Sequence, residues 1–244
     1  MKRIFLLFLA LSALTASADN ASWLRYPSIS PDGNTVAFSY KGDIYIVNSE
    51  GGEARQLTSN PAYDYSPIWS PDGNTLAFAS DRYGNFDIFT IPVTGGVPFR
   101  VTTHSAKETP WTFTPDGKRL LFTARIQDPA ESALFPKGTM TELYSVSING
   151  GRYEQVLATP AEEVSFIGEN GSFVYQDCKG GENIWRKHHT SSITRDIWLY
   201  DGTRHIKLTS FEGEDRSPRV SSDGSTVYFM SDRDGSFNIY IHLL

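Results

Sequence analysis

The chain has 244 residues, enough for one or two domains, and a formal net charge of −6. Acidic and basic residues are interspersed, which argues against a nucleic-acid surface. The single cysteine, Cys178, excludes a disulfide scaffold, so burial of a large aromatic complement (15 Phe, 12 Tyr, 5 Trp) must hold the fold.

The first element is a targeting segment. Met1-Lys2-Arg3 precedes an apolar run from Ile4 to Leu14, and Ala16-Ser17-Ala18 follows as a small-residue cleavage site. That order predicts a signal peptide over residues 1–18 and an exported, periplasmic product. The run is too short to span a bilayer, which takes about 20 apolar residues, and no later stretch is apolar enough. No membrane span is expected after cleavage.

From residue 19 onward the sequence repeats itself. Ser30-Pro31-Asp32-Gly33 leads into Thr35-Val36-Ala37-Phe38, and Ser70-Pro71-Asp72-Gly73 into Thr75-Leu76-Ala77-Phe78. Thr114-Pro115-Asp116-Gly117 and Ser221-Ser222-Asp223-Gly224 repeat the pattern, and Gly168-Glu169-Asn170-Gly171 is a degenerate copy. The turn glycines 33, 73, 117, 171 and 224 fall 40, 44, 54 and 53 residues apart. Proline presets φ, Asp bonds its own backbone, and Gly takes positive φ, so each motif predicts a tight hairpin turn and nothing catalytic. A third strand follows in each copy, as in Asp43–Val47 and Asp87–Ile91. A Gly-rich turn and a short fourth strand ending Gln56-Leu57-Thr58, Arg100-Val101-Thr102 or Lys207-Leu208-Thr209 complete the copy. Four short antiparallel strands per forty-odd residues predict an all-β propeller of four-stranded blades, with five repeats visible over residues 19–244. The fifth repeat stops after its third strand at Ile239–Leu244, without an outer strand.

Several constellations invite a chemical reading. The third and fourth copies carry insertions between their second and third strands, around residues 127–139 and 176–193. Equivalent loops emerge on one face of a propeller. They would bring Arg125, Lys137, Lys179, Arg186, Lys187, His188, His189 and Arg195 toward one rim. Two readings stand: a contact for an acidic group, such as a peptide carboxylate or a neighbouring domain, and a pair of solvated loops. His188-His189 lacks the spacing of a ligand pair, since adjacent residues in an extended segment point apart. Asp232-Arg233-Asp234-Gly235 opens like a calcium loop but lacks the later Glu and recurs as Asp81-Arg82-Tyr83-Gly84, so it predicts a hairpin turn. Cys178 predicts a structural thiol. With no GxSxG elbow and no phosphate loop, neither catalytic residue nor metal nor cofactor is expected.

The repeat resembles the propeller repeat of the TolB and tricorn protease families. The resemblance to bacterial tricorn-like serine proteases is closer. It is carried by Trp23-Leu24-Arg25-Tyr26-Pro27, Tyr40-Lys41-Gly42-Asp43-Ile44-Tyr45, Ala124-Arg125-Ile126-Gln127-Asp128-Pro129, and the stretch from Tyr175 through Ser192. It implies a non-catalytic first propeller of a longer peptide-degrading enzyme, serving substrate gating or domain docking. Its implied partners are peptide substrate or downstream protease domains. A TolB-like interaction propeller and the propeller of a prolyl-oligopeptidase-like hydrolase are the alternatives. The ring either closes with five blades, residues 19–26 supplying the missing strand, or belongs to a six- or seven-bladed ring; the resemblance favours the second.

Overall fold

The computed structural model describes residues 23–126, 140–181 and 188–244. The signal-peptide assignment therefore lies outside the described residues, as do Lys137, Arg186 and Lys187.

Among the described residues, nineteen strands form five antiparallel sheets and there is no helix. Blade one is β1 (Arg25–Ile29), β2 (Thr35–Tyr40), β3 (Asp43–Asn48) and β4 (Arg55–Gln56). Blade two is β5 (Asp64–Trp69), β6 (Thr75–Ser80), β7 (Asp87–Pro92) and β8 (Phe99–Arg100). Blade three is β9 (Glu108–Phe113), β10 (Arg119–Ala124), β11 (Glu142–Ser147) and β12 (Glu154–Leu157). Blade four is β13 (Ala161–Phe166), β14 (Phe173–Asp177), β15 (Ile197–Tyr200) and β16 (His205–Lys207). Blade five has three strands, β17 (Asp215–Val220), β18 (Thr226–Ser231) and β19 (Asn238–Leu243). Each sheet runs in chain order, first strand to last, and the first strands pack side by side in sequence from β1 through β5, β9 and β13 to β17. The fold is the expected all-β propeller, and its fifth blade lacks the outer strand.

The repeated turns earn their place through one hydroxyl each. Ser30 and Ser70 donate to Asp32 and Asp72 at 2.5 Å, and each serine accepts the amide of the threonine five residues on at 2.9 Å. Thr114 and Ser221 donate likewise to Asp116 and Asp223 and accept the amides of Arg119 and Thr226. The serine or threonine bond and the turn amides hold these four exposed carboxyls below the usual aspartate value. The fourth strands are shorter than the sequence suggests. The chain leaves the ladder after Gln56, Arg100 and Lys207, because the threonine hydroxyl takes over. Thr58, Thr102 and Thr209 accept the amides of Ile44, Ile88 and Ile197 at 2.9, 2.8 and 3.1 Å.

The core lies between blades. In each blade an aromatic or apolar pair faces the preceding blade and a smaller aliphatic pair faces the next. Ala77 and Ile88 of blade two, both fully buried, pack on Leu120 and Phe122 of blade three. Leu121 and Leu143 pack on Phe173 and Tyr175, and Val174 and Ile197 on Val227 and Phe229. The corresponding face of blade five meets no described neighbour. Ile239, the counterpart of Ile88, is 75% exposed, and Ile241 and Leu243 beside it are also exposed. At the other end, Phe38 stacks on its own strand neighbour Tyr45 at 5.8 Å, with no preceding blade against the pair. Packing like that between successive first strands is absent between β17 and β1. Residues 25–26 do not supply a fifth outer strand: they belong to β1 and pair with β2. Their predecessors 19–22 lie outside the described residues.

Candidate functional site: the channel mouth

The five first strands surround a central cavity of about 720 Å³, lined in part by Tyr26, Ser66, Trp111, Glu163, Ser217 and Arg219. Four of these have left-handed backbone: Tyr26, Ser66, Glu163 and Ser217, with φ of 53, 53, 54 and 56°. Each sits at a break in its strand's pairing register, where an extra residue is accommodated. Positive φ at a residue other than glycine is costly, and the repeat holds it at equivalent positions in four blades. The bulge presents these side chains to the channel. Glu163 Oε2 receives a bond from Arg219 at 2.7 Å across blades four and five.

The rim cations expected from the insertions separate into distinct environments. Lys179 Nζ lies 2.5 Å from Asp196 Oδ2 and 3.2 Å from Asp177 Oδ2, and donates to the Thr194 carbonyl at 2.6 Å. Burial alone would lower its ammonium, but the Asp196 bond and the charges of both aspartates hold it above the ordinary lysine value. Lys207 reaches the same Asp196 at 2.9 Å. Arg195 is 7% exposed and faces the buried Glu214 carboxylate at 3.6 Å. His188 is exposed with φ of 54°, and its amide donates to Asp232 Oδ2 at 2.9 Å; His189 beside it is half-buried. Of the group, only Arg125 stands exposed at the channel with no ion pair among the described residues.

Arg125 has unpaired company that the insertion argument did not single out. It lines a cleft of about 550 Å³ with Tyr26, Tyr65, Lys107, Trp111 and Glu162. Lys107 Nζ lies over the rings of Tyr65 and Phe86 at 5.3 and 5.2 Å. Tyr26 also walls a second cleft of about 500 Å³, with Trp23, Arg25, Ser39, Lys41 and Tyr63. Burial and the neighbouring tyrosines 63 and 65 push the Tyr26 hydroxyl up, while Lys107 and Arg25 pull the other way, so both cations sit near it. Arg25, Lys41, Lys107 and Arg125 make no ion pair among the described residues. The mouth therefore carries free positive charge interleaved with aromatic rings on blades one to three, and carboxylates Glu162 and Glu163 on blade four. The sequence held a signal for this: Trp23, Arg25, Tyr26 and Lys41 fall in the segments that carry the family resemblance.

The remaining motifs are structural in their contacts. Arg82 makes a bidentate pair with the fully buried Asp64 at 2.9 Å and is braced by Ser80; Arg233 repeats it with Asp215 and Ser231. Asp81 and Asp232 accept the amides of Tyr63 and Glu214, so the calcium-like sequence is a hairpin turn that ties strand ends together. Burial pushes the Cys178 thiol up to about 11, which keeps it protonated and unreactive at neutral pH.

Known proteins share this architecture. The tricorn protease structure superposes over 91% of the chain and 21% of its own length, with a TM-score of 0.74 and 23% identity. A TolB from Agrobacterium tumefaciens superposes over 91% of the chain and 76% of its own, with a TM-score of 0.70 and 19% identity. In sequence, the Tol-Pal system protein TolB of Anaeromyxobacter dehalogenans strain 2CP-1 is 43% identical over 44 residues, which is 16% of this chain and 10% of that protein. The uncharacterized peptidase YuxL of Bacillus subtilis is 29% identical over 148 residues, 44% of this chain and 22% of that protein. The chain thus spans about a tenth to a fifth of the curated relatives it matches. Beyond these partial likenesses, residues 21–243 match one family throughout, and the chain belongs to it: the tricorn protease N-terminal β-propeller domain family.

Proposed function

We propose that this chain is a non-catalytic, exported propeller of a peptide-degrading serine protease of tricorn type, and that it receives peptide at the mouth of its channel. The observation that carries the reading is the free charge there. Arg25, Lys41, Lys107 and Arg125 face solvent or clefts without ion pairs among the described residues, beside aromatic rings that suit peptide side chains. Cations left unpaired next to a channel favour an anionic or carboxylate-bearing ligand over a solvated surface. The open faces of blades one and five point to a second role, docking. On blade five the exposed Ile239 occupies the slot that Ile88 and Ile197 fill against the next blade, so the occupant we assign is a further four-stranded blade of the same repeat.

Photo-crosslinking tests the first role. A mixed peptide pool carrying a photoactivatable group is incubated with the chain, and adducts are mapped by mass spectrometry. Adducts concentrated at Tyr65, Lys107 and Arg125, with no peptide cleaved, are the expected result. Cleavage, or adducts scattered over the outer strands, would overturn it. Reading the coding frame beyond Leu244 tests the second: a further blade ahead of a protease core is expected, and an α/β-hydrolase domain there would assign the propeller to the prolyl-oligopeptidase-like class instead.

A further inference from the structure

Blade one differs from its siblings at one buried position. In the second strand, the residue opposite Ile44, Ile88, Leu143, Ile197 or Ile239 of the third is Ser39, Ala79, Thr123, Gln176 or Met230 respectively. Thr123 accepts from the Trp111 indole at 2.9 Å, and Gln176 bonds both Glu162 and the Ser217 amide. Ala79 and Met230 need no partner. Ser39 is 2% exposed, and its hydroxyl has no hydrogen-bond partner among the described residues. A buried hydroxyl left unpaired is a defect unless something else satisfies it.

Ser39 lines a cleft of about 500 Å³ with Trp23, Arg25, Tyr26, Lys41 and Tyr63, its hydroxyl oxygen turned into the protein. The cleft exists because the β2–β3 hairpin is a two-residue turn. Lys41 and Gly42 both have positive φ, 52 and 93°. The Tyr63 ring lies against this turn, in ordinary contact distance of where a Cβ on Gly42 would stand. Arg25 also lies over the Trp23 ring at 5.9 Å, and Lys41 over Tyr40 at 5.2 Å. Two cations without carboxylate partners and three rings converge on this space.

We infer that the cleft between blades one and two is a binding site for an acidic peptide segment, in which Arg25 and Lys41 hold a carboxylate while Trp23, Tyr26 and Tyr63 pack an adjacent apolar or aromatic side chain. Both charges donate to one anion, and the rings exclude water from it. The choice of a peptide rests on the proposed function; the preference for an anion beside an apolar group rests on the cleft alone. Tyr26 also walls the neighbouring cleft of Lys107 and Arg125, so a chain seated here runs on toward the channel.

Trp23, 61% exposed, reports on occupancy. The purified chain is titrated with the blocked peptide acetyl-Gly-Phe-Asp-Phe-Gly-amide and with its Asn counterpart, following tryptophan fluorescence. A saturable change with the Asp peptide is expected, with affinity lower by about tenfold or more for the Asn peptide and for the Arg25→Gln/Lys41→Gln variant. Trp23→Phe removes the signal. Circular dichroism and thermal melts confirm that each variant is folded. Equal response to the two peptides, no saturable response in the folded wild type, or full affinity in the folded double variant overturns the inference. Those outcomes leave the channel proposal standing, since crosslinks at Lys107 and Arg125 read it separately.

Discussion

Two sets of cations in the arc are treated in opposite ways. On blade four, Lys179 sits between Asp177 and Asp196, and Arg195 is sunk against Glu214. Arg82 and Arg233 follow the same rule in blades two and five, each on a buried aspartate. On blades one to three, Arg25, Lys41, Lys107 and Arg125 stand at the channel mouth with no ion pair among the described residues. A cation held by buried carboxylates is part of the fold's own electrostatics, because removing it strands the acid. A cation left open beside rings costs the fold little and is available to a ligand. Counting charges near an insertion does not separate the two; partners do.

The largest effect expected is at a paired cation. Arg82→Ala leaves the Asp64 carboxylate buried and uncompensated, and urea denaturation should report a loss of about 3–5 kcal/mol. A loss below about 1 kcal/mol would erase the distinction between the two classes of cation. The apolar faces offer a parallel contrast. Ile88→Ala opens a cavity between blades two and three and should lose about 2–5 kcal/mol. At the equivalent but exposed Ile239, the same change should stay within about 0.5 kcal/mol and improve solubility.

A pH series sharpens the picture at one buried acid. Glu108 opens β9 fully buried, bonded by the Thr102 hydroxyl, with Asp87 and Arg100 nearby. Burial first, and Asp87 second, raise its carboxyl from 4.5 to about 8 against the opposing pull of Thr102 and Arg100. The folded chain keeps that proton where the unfolded chain releases it. Its contribution to stability is therefore complete below pH 4.5 and is lost as pH rises toward about 8. Melting temperatures should fall across that window, and Glu108→Gln should flatten the decline. A decline of equal slope in the variant would assign it to another group. The smallest expected effect on stability is at the mouth: Lys107→Ala and Arg125→Ala should each stay within about 0.5 kcal/mol while lowering peptide crosslinking.

Much of this fold was legible from residue order because its signals are local. The Ser-Pro-Asp-Gly turns declare the hairpins, and Leu-Thr after Gln56 or Lys207 marks where a side chain closes the sheet. Even the unfinished fifth blade is visible as a missing strand. The site was legible only in outline. Arg125 was singled out from its loop, but Lys179 and Arg195 read the same way, since the pairing of Lys179 with Asp196 and of Arg195 with Glu214 forms only once the strands assemble. The strained Tyr26 and Ser66 gave no warning either, because a β-bulge is set by pairing register and not by composition. Ser39 becomes notable only beside Thr123 and Gln176, when the blades are superposed and its lack of a partner is seen.

One paired experiment addresses the contrast most directly. Arg25→Gln/Lys41→Gln and Lys179→Gln/Arg195→Gln are compared for urea stability and for acidic-peptide affinity. The expected result is a double dissociation: the first variant keeps its stability and loses binding, the second loses stability and, where folded, keeps binding. A first variant that unfolds early, or a second that stays stable and stops binding, would contradict the assignment of free charge to blade one and structural charge to blade four.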